Sequence, residues 1–203
     1  MDTEQRVSRS LCFHISCQVA SALDYLHRKE IIYRTLKASS ILVWSLDFCD
    51  EVNVKLTNFE RAEFRTPSGL IGKPSFAAYH APEMLRYSFQ EEYTEKIDIY
   101  SFGMLLYELV THWQPFGTLH TAEQVPVSQR PKALSRVTAG YGTMTKLMQE
   151  CWNEDQTMRP TALFLTRKLS HPAFVCHIAT GMLRGCISIQ GCCYVPSVHQ
   201  IWV

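Results

Sequence analysis

Residues 94–111 read Thr94-Glu95-Lys96-Ile97-Asp98-Ile99-Tyr100-Ser101-Phe102-Gly103-Met104-Leu105-Leu106-Tyr107-Glu108-Leu109-Val110-Thr111. The apolar side chains of Ile97, Ile99, Tyr100, Phe102, Met104, Leu105, Leu106, Leu109 and Val110 leave this stretch no polar face. A helix that is apolar all round belongs in the middle of a core. Upstream, Leu11, Ile15, Val19 and Leu23 recur every fourth residue beside Ala22 and Leu26, which predicts a helix from Leu11 to about His27. Residues 1–10 are polar and end in Ser8-Arg9-Ser10, a linker leading into a helix start. Ile31-Ile32 and Ile41-Leu42-Val43 are short apolar runs on either side of a basic, polar turn, and Asn53 to Thr57 alternates like a strand. Residues 58–83 show neither period and carry Pro67, Gly69, Gly72, Pro74 and Pro82. A loop that long inside a domain is usually functional. Downstream, residues 112–142 contain Pro115, Pro126 and Pro131 and read as loop with at most a short helix. Met144–Trp152 and Ala162–Leu169 read as short helices. After Pro172 the texture turns strand-like, at Cys186–Gly191 and Val198–Val203.

Composition narrows the function classes. A chain of 203 residues holds one domain and part of a second. With 46% apolar and 19% charged residues it is no disordered tail. A net charge of +1 gives no basic footprint for nucleic acid. No apolar run approaches the ~20 residues of a membrane span, and the polar N-terminus has no apolar signal core behind it. Eight cysteines form no CxxC pair, and the eight histidines form no HExxH. Free thiols, a reducing cytoplasmic setting and no metal site are the expectation.

Five short motifs then fall in one order. Tyr33-Arg34-Thr35-Leu36-Lys37-Ala38-Ser39-Ser40 resembles the protein kinase catalytic loop H-R-D-L-K-P-x-N. Asn58-Phe59-Glu60 stands where D-F-G is expected, and Ala81-Pro82-Glu83 matches A-P-E. Asp98-Ile99-Tyr100-Ser101-Phe102-Gly103 matches the D-x-x-S-F-G of the buried helix, and Cys151-Trp152 with Arg159-Pro160 matches the late C-W…R-P pattern. The chain is similar in particular to the ROCO-type leucine-rich-repeat kinases, whose I-I-Y-R-D looks like Ile31-Ile32-Tyr33-Arg34, with Tyr in place of the usual His. The resemblance implies a mainly α fold: the C-terminal large lobe of a kinase over residues 11–172, without the small lobe. It implies a linker at 1–10 and, at 173–203, the start of a truncated β domain like a WD40 propeller.

The departures from that pattern bear on activity. The resemblance assigns the catalytic base to the position of Thr35, and the metal- and ATP-binding side chains to those of Asn58 and Ser40. All three are neutral here. Glu60 replaces the D-F-G glycine, and Ser75-Phe76 replaces the G-T ahead of A-P-E. Lys37 alone keeps its catalytic-loop identity, of the Ser/Thr-kinase type. No G-x-G-x-x-G and no V-A-I-K lysine occurs, so a small lobe would lie before Met1 and the chain reads as a fragment. ATP and Mg²⁺ are the cofactors implied for an active relative; none is expected for this chain. The resemblance gives Asp98 a structural role, accepting backbone N–H groups of the catalytic loop. It pairs Glu83 with Arg159 and places Arg34 against a phosphorylated loop, with Thr66 and Ser68 as candidate sites. Trp113 and Trp152 are expected to pack, and Thr57 and Phe59 to wall a cleft. Three functions remain open: a pseudokinase module working with protein partners or other domains of a larger signalling chain, an active serine/threonine kinase, and a fragment with no independent function.

Overall fold

Ser8 opens the first helix, its hydroxyl accepting the Leu11 amide at 3.2 Å. The computed structural model describes residues 8–47, 50–51, 53–66, 78–85, 94–117, 129–131 and 141–171. Helix α1 spans Arg9–Arg28 and buries Leu11, Ile15, Val19, Leu23 and Leu26, the fourfold repeat read in the sequence. Glu30, with φ 58, turns the chain into strand β1, Ile31–Ile32. A single 3₁₀ turn at Ala38–Ser40 leads to β2, Ile41–Val43, which pairs antiparallel with β3, Val54–Leu56. Val54 and Leu56 face inward and Lys55 outward, as the alternation predicts.

The stretch expected to be featureless loop holds a 3₁₀ turn at Phe59–Arg61, strand β4 at Glu63–Phe64, and the one-turn helix α2 at Pro82–Leu85. β4 pairs antiparallel with β1, Ile31 opposite Phe64 and Ile32 opposite Glu63. A two-residue strand whose partner lies thirty residues away leaves no local period to read. Helix α3, Lys96–Thr111, follows, then α4, Gly142–Cys151, and α5, Ala162–Leu169. The short helices appear where they were expected. The expectations for the strands after Pro172, for most of the 1–10 linker, and for Ser68, Ser75 and Phe76 fall outside the described residues.

α3 is the centre of the molecule: Ile97, Ile99, Phe102, Met104, Leu105 and Leu106 are each at most 1% exposed. It packs against α4 and α1, while α1 also covers α5 and β3. Gly103 allows the α3–α4 approach, because a Cβ there would stand 2.9 Å from the Cβ of Cys151. Gln18 fastens α1 to β3, its amide oxygen accepting from the backbone N–H groups of Asn53 and Val54 at 2.9 and 3.0 Å. Cys12, Cys17 and Cys151 form no disulfide, and burial pushes Cys12 up to about 11 and Cys17 up to about 12. They serve as small apolar side chains. Among the described residues no helix is long and apolar enough to cross a membrane.

Candidate functional site around the 33–40 turn

Asp98 organises the site from inside α3. Its fully buried carboxylate accepts the Tyr33 amide at 2.8 Å, the Arg34 amide at 2.7 Å and His27 Nε2 at 2.9 Å. These charge-assisted bonds hold Arg34 at φ 67, in the left-handed region that a non-glycine residue seldom enters. The turn thereby presents Thr35 to Ser40 as one compact loop.

Within that loop the hydroxyls bond to main-chain carbonyls. Thr35 Oγ1 donates to Asn58 O at 3.0 Å, and Ser40 Oγ donates to Thr35 O at 2.7 Å. Ser40 O accepts from Thr57 N at 2.9 Å and from Thr57 Oγ1 at 3.2 Å. Asn58 is also left-handed, at φ 60. Thr35, Ser40 and Asn58, separated by up to 23 positions in the chain, thus form one hydrogen-bonded cluster. Tyr33 closes it from below: its hydroxyl donates to Thr57 O and its ring meets Phe59 edge-on at 5.2 Å. Burial raises the Tyr33 hydroxyl above its ordinary range.

A second fixed point lies at the far side of α3. Arg159 Nη1 and Nη2 donate to the two Glu83 carboxylate oxygens at 2.6 and 2.8 Å. The remaining guanidinium donors reach Asn153 O, Lys96 O and Glu154 O, so every N–H of this 2%-exposed side chain is used. Arg159 and Arg130 also each lie 5.1 Å from the Tyr100 ring centre.

A turn held by a buried aspartate, joined to a bidentate Glu–Arg pair on the other side of the same helix, agrees with the comparisons. The family described as protein tyrosine and serine/threonine kinase matches residues 1–169. This chain belongs to the protein kinase family. This chain is similar to the leucine-rich repeat serine/threonine-protein kinase 1 of Mus musculus, 33% identical over 163 residues that cover 79% of this chain and 8% of the relative. The Caenorhabditis elegans protein of the same name is 36% identical over 165 residues, covering 77% of this chain and 7% of the relative. The tyrosine-protein kinase Srms of Homo sapiens is 30% identical over 163 residues, covering 80% of this chain and 32% of the relative. The chain therefore spans less than a tenth of either leucine-rich-repeat kinase it matches.

In this kinase-family chain, the geometry brings together Thr35, Ser40 and Asn58, and separately Asp98 with the 33–34 turn and Glu83 with Arg159. Lys37 adjoins the first group, near enough for its charge to act on buried His80. Trp152 packs, tilted 6.3 Å from Tyr107, but Trp113 is 63% exposed. The expectation that Trp113 packs is corrected: His112, left-handed at φ 58, ends α3 and turns the chain outward. Phe59 is partly exposed.

Other residues escaped the sequence reading. Gln18 and Glu63 act across the fold with no local motif to mark them. Tyr79 donates its hydroxyl to Glu108 of α3, and burial raises both groups above their ordinary ranges. His80, 6% exposed, has no hydrogen-bond partner at Nδ1 among the described residues. Burial first, then the charges of Arg61, Arg34 and Lys37, lowers it to about 3, so it is neutral at physiological pH.

Proposed function

We propose that this chain is the large lobe of a pseudokinase, a regulatory or interaction module in a larger cytoplasmic signalling protein. The observation that carries this reading is the Thr35 hydroxyl, which donates its proton to the Asn58 carbonyl where a catalytic base would stand. A general base is worth ~10²–10⁴ in rate, and a hydroxyl is no base at neutral pH. Mg²⁺ takes hard anionic oxygen, usually one or two carboxylates. Thr35, Ser40 and Asn58 supply none, and both hydroxyls already donate to main-chain carbonyls. This donor set does not fit the ion. Residues 1–10 are read as a linker, 11–172 as the lobe, and 173–203 as the opening of a β domain. The small share of each relative that the chain covers supports other domains as partners.

The competing reading is an active serine/threonine kinase using ATP and Mg²⁺, favoured by the likeness to the leucine-rich-repeat serine/threonine kinases and by Lys37 in the matching position. ATP turnover by the purified chain tests the active-kinase reading. No Mg²⁺-dependent turnover is expected, before or after Thr35→Asp with Asn58→Asp, because base, metal ligands and phosphate-covering loop act as a unit. Turnover by the unaltered chain that Lys37→Ala abolishes would establish the active kinase.

A further inference from the structure

The segment 59–66 is tied to the Arg34 turn at three points. β4 pairs with β1, which sets Glu63 opposite Ile32. Just past the ladder, the Arg65 amide donates to Glu30 O at 2.6 Å. Beside it, the Arg34 guanidinium donates to the Glu63 carboxylate and to Arg61 O at 3.3 Å. The Arg34 side chain is only 10% exposed, and Arg61 and Lys37 lie close enough that, with Arg34 and burial, they keep nearby His80 neutral. The buried Asp98 carboxylate is bound to the Arg34 main-chain amide, and a nearly buried guanidinium calls for an anion of its own. Added phosphate often provides one by engaging an Arg and ordering a segment. In this chain a carboxylate on the segment itself already does so.

We propose that Glu63 is a resident counter-ion that docks residues 59–66 on the Arg34 turn without phosphorylation, so that modification of Thr66 does not set this segment's conformation. Thr66 is exposed and lies three residues beyond Glu63. A phosphate there would approach a guanidinium whose Nη1 already donates to Glu63 and to Arg61 O. Glu63 is half-exposed, and such a pair alone is weak. The burial of Arg34 and the adjoining ladder give it consequence. The inference goes beyond the pseudokinase reading and stands whether or not the chain transfers phosphate.

Amide hydrogen exchange on the full 203-residue chain tests it. The reporter is the Arg65 amide; the control is the Asn53 amide, bonded to Gln18 away from this segment. In unphosphorylated protein the Arg65 amide should be protected. Glu63→Gln should speed its exchange about tenfold with Asn53 unchanged, and Glu63→Asp should restore part of the protection. Phosphothreonine installed at position 66 should change Arg65 exchange by less than about twofold. The proposal is overturned by an unprotected Arg65 amide in unphosphorylated protein, by unchanged exchange in Glu63→Gln, by equal loss at Asn53, by no rescue in Glu63→Asp, or by a phosphate that raises protection about tenfold.

Discussion

At the scale of single residues, Arg159 and His80 show two ways in which a buried ionisable side chain is accommodated, by a partner for every donor or by loss of the charge. Arg159 has a partner for every donor, so removing it strands Glu83, which is only 8% exposed. Arg159→Ala should destabilise the domain by about 3–5 kcal/mol, read as a fall in melting temperature. An unchanged melting point would mean that the pair is not buried in solution. His80 sets an acid limit. Its folded value, about 3, lies below the ordinary 6.5, so the unfolded chain binds more protons between those values. Stability should therefore fall as pH drops below about 6.5 and continue falling toward 3. His80→Leu should flatten that part of the curve in a melting series against pH; an identical slope in the variant would show that the carboxylates alone account for it. The Glu83–Arg159 pair was legible beforehand because both residues sit in motifs. His80 and Glu63 were not, because burial and cross-chain charge leave no mark on neighbouring letters.

Between elements, the α3–α4 and α1–β3 contacts each turn on one residue. The α3–α4 crossing is tight at Gly103, where Cys151 Cβ, Met148 O and Trp152 N stand 2.9, 3.2 and 3.3 Å from an added methyl position. Two of those three neighbours are backbone and cannot swing aside. Gly103→Ala should cost about 1–3 kcal/mol by overpacking, a loss readable by urea denaturation. A variant as stable as the parent would show that α4 shifts freely. The α1–β3 contact rests on Gln18, which satisfies two backbone donors at once. Gln18→Leu keeps the size but leaves both N–H groups without that acceptor, and a loss of about 1–3 kcal/mol is expected. The helices at 9–28 and 96–111 were readable because each carries its burial pattern within its own sequence. β4 was not, since a two-residue strand exists only through its partner.

On the scale of the whole molecule, α1, α3, α4 and α5 contribute to one continuous apolar cluster. Unfolding should therefore be a single transition, with far-UV circular dichroism and tryptophan emission coinciding; two separated midpoints would mean that the helices belong to independent units. The sequence by itself determined the central position of 96–111, since a segment with no polar face has nowhere else to go. It also determined that positions 35, 40 and 58 carry no charge, which is a matter of residue identity. Only the tertiary structure decided what those neutral residues do. Hydrogen bonds from Thr35 to Asn58 and from Ser40 to Thr35, and the joining of Arg34 to Glu63, depend on the chain returning to the same place. Local pattern reports which faces of an element avoid water. It carries no record of which polar groups from distant segments meet once those faces are buried.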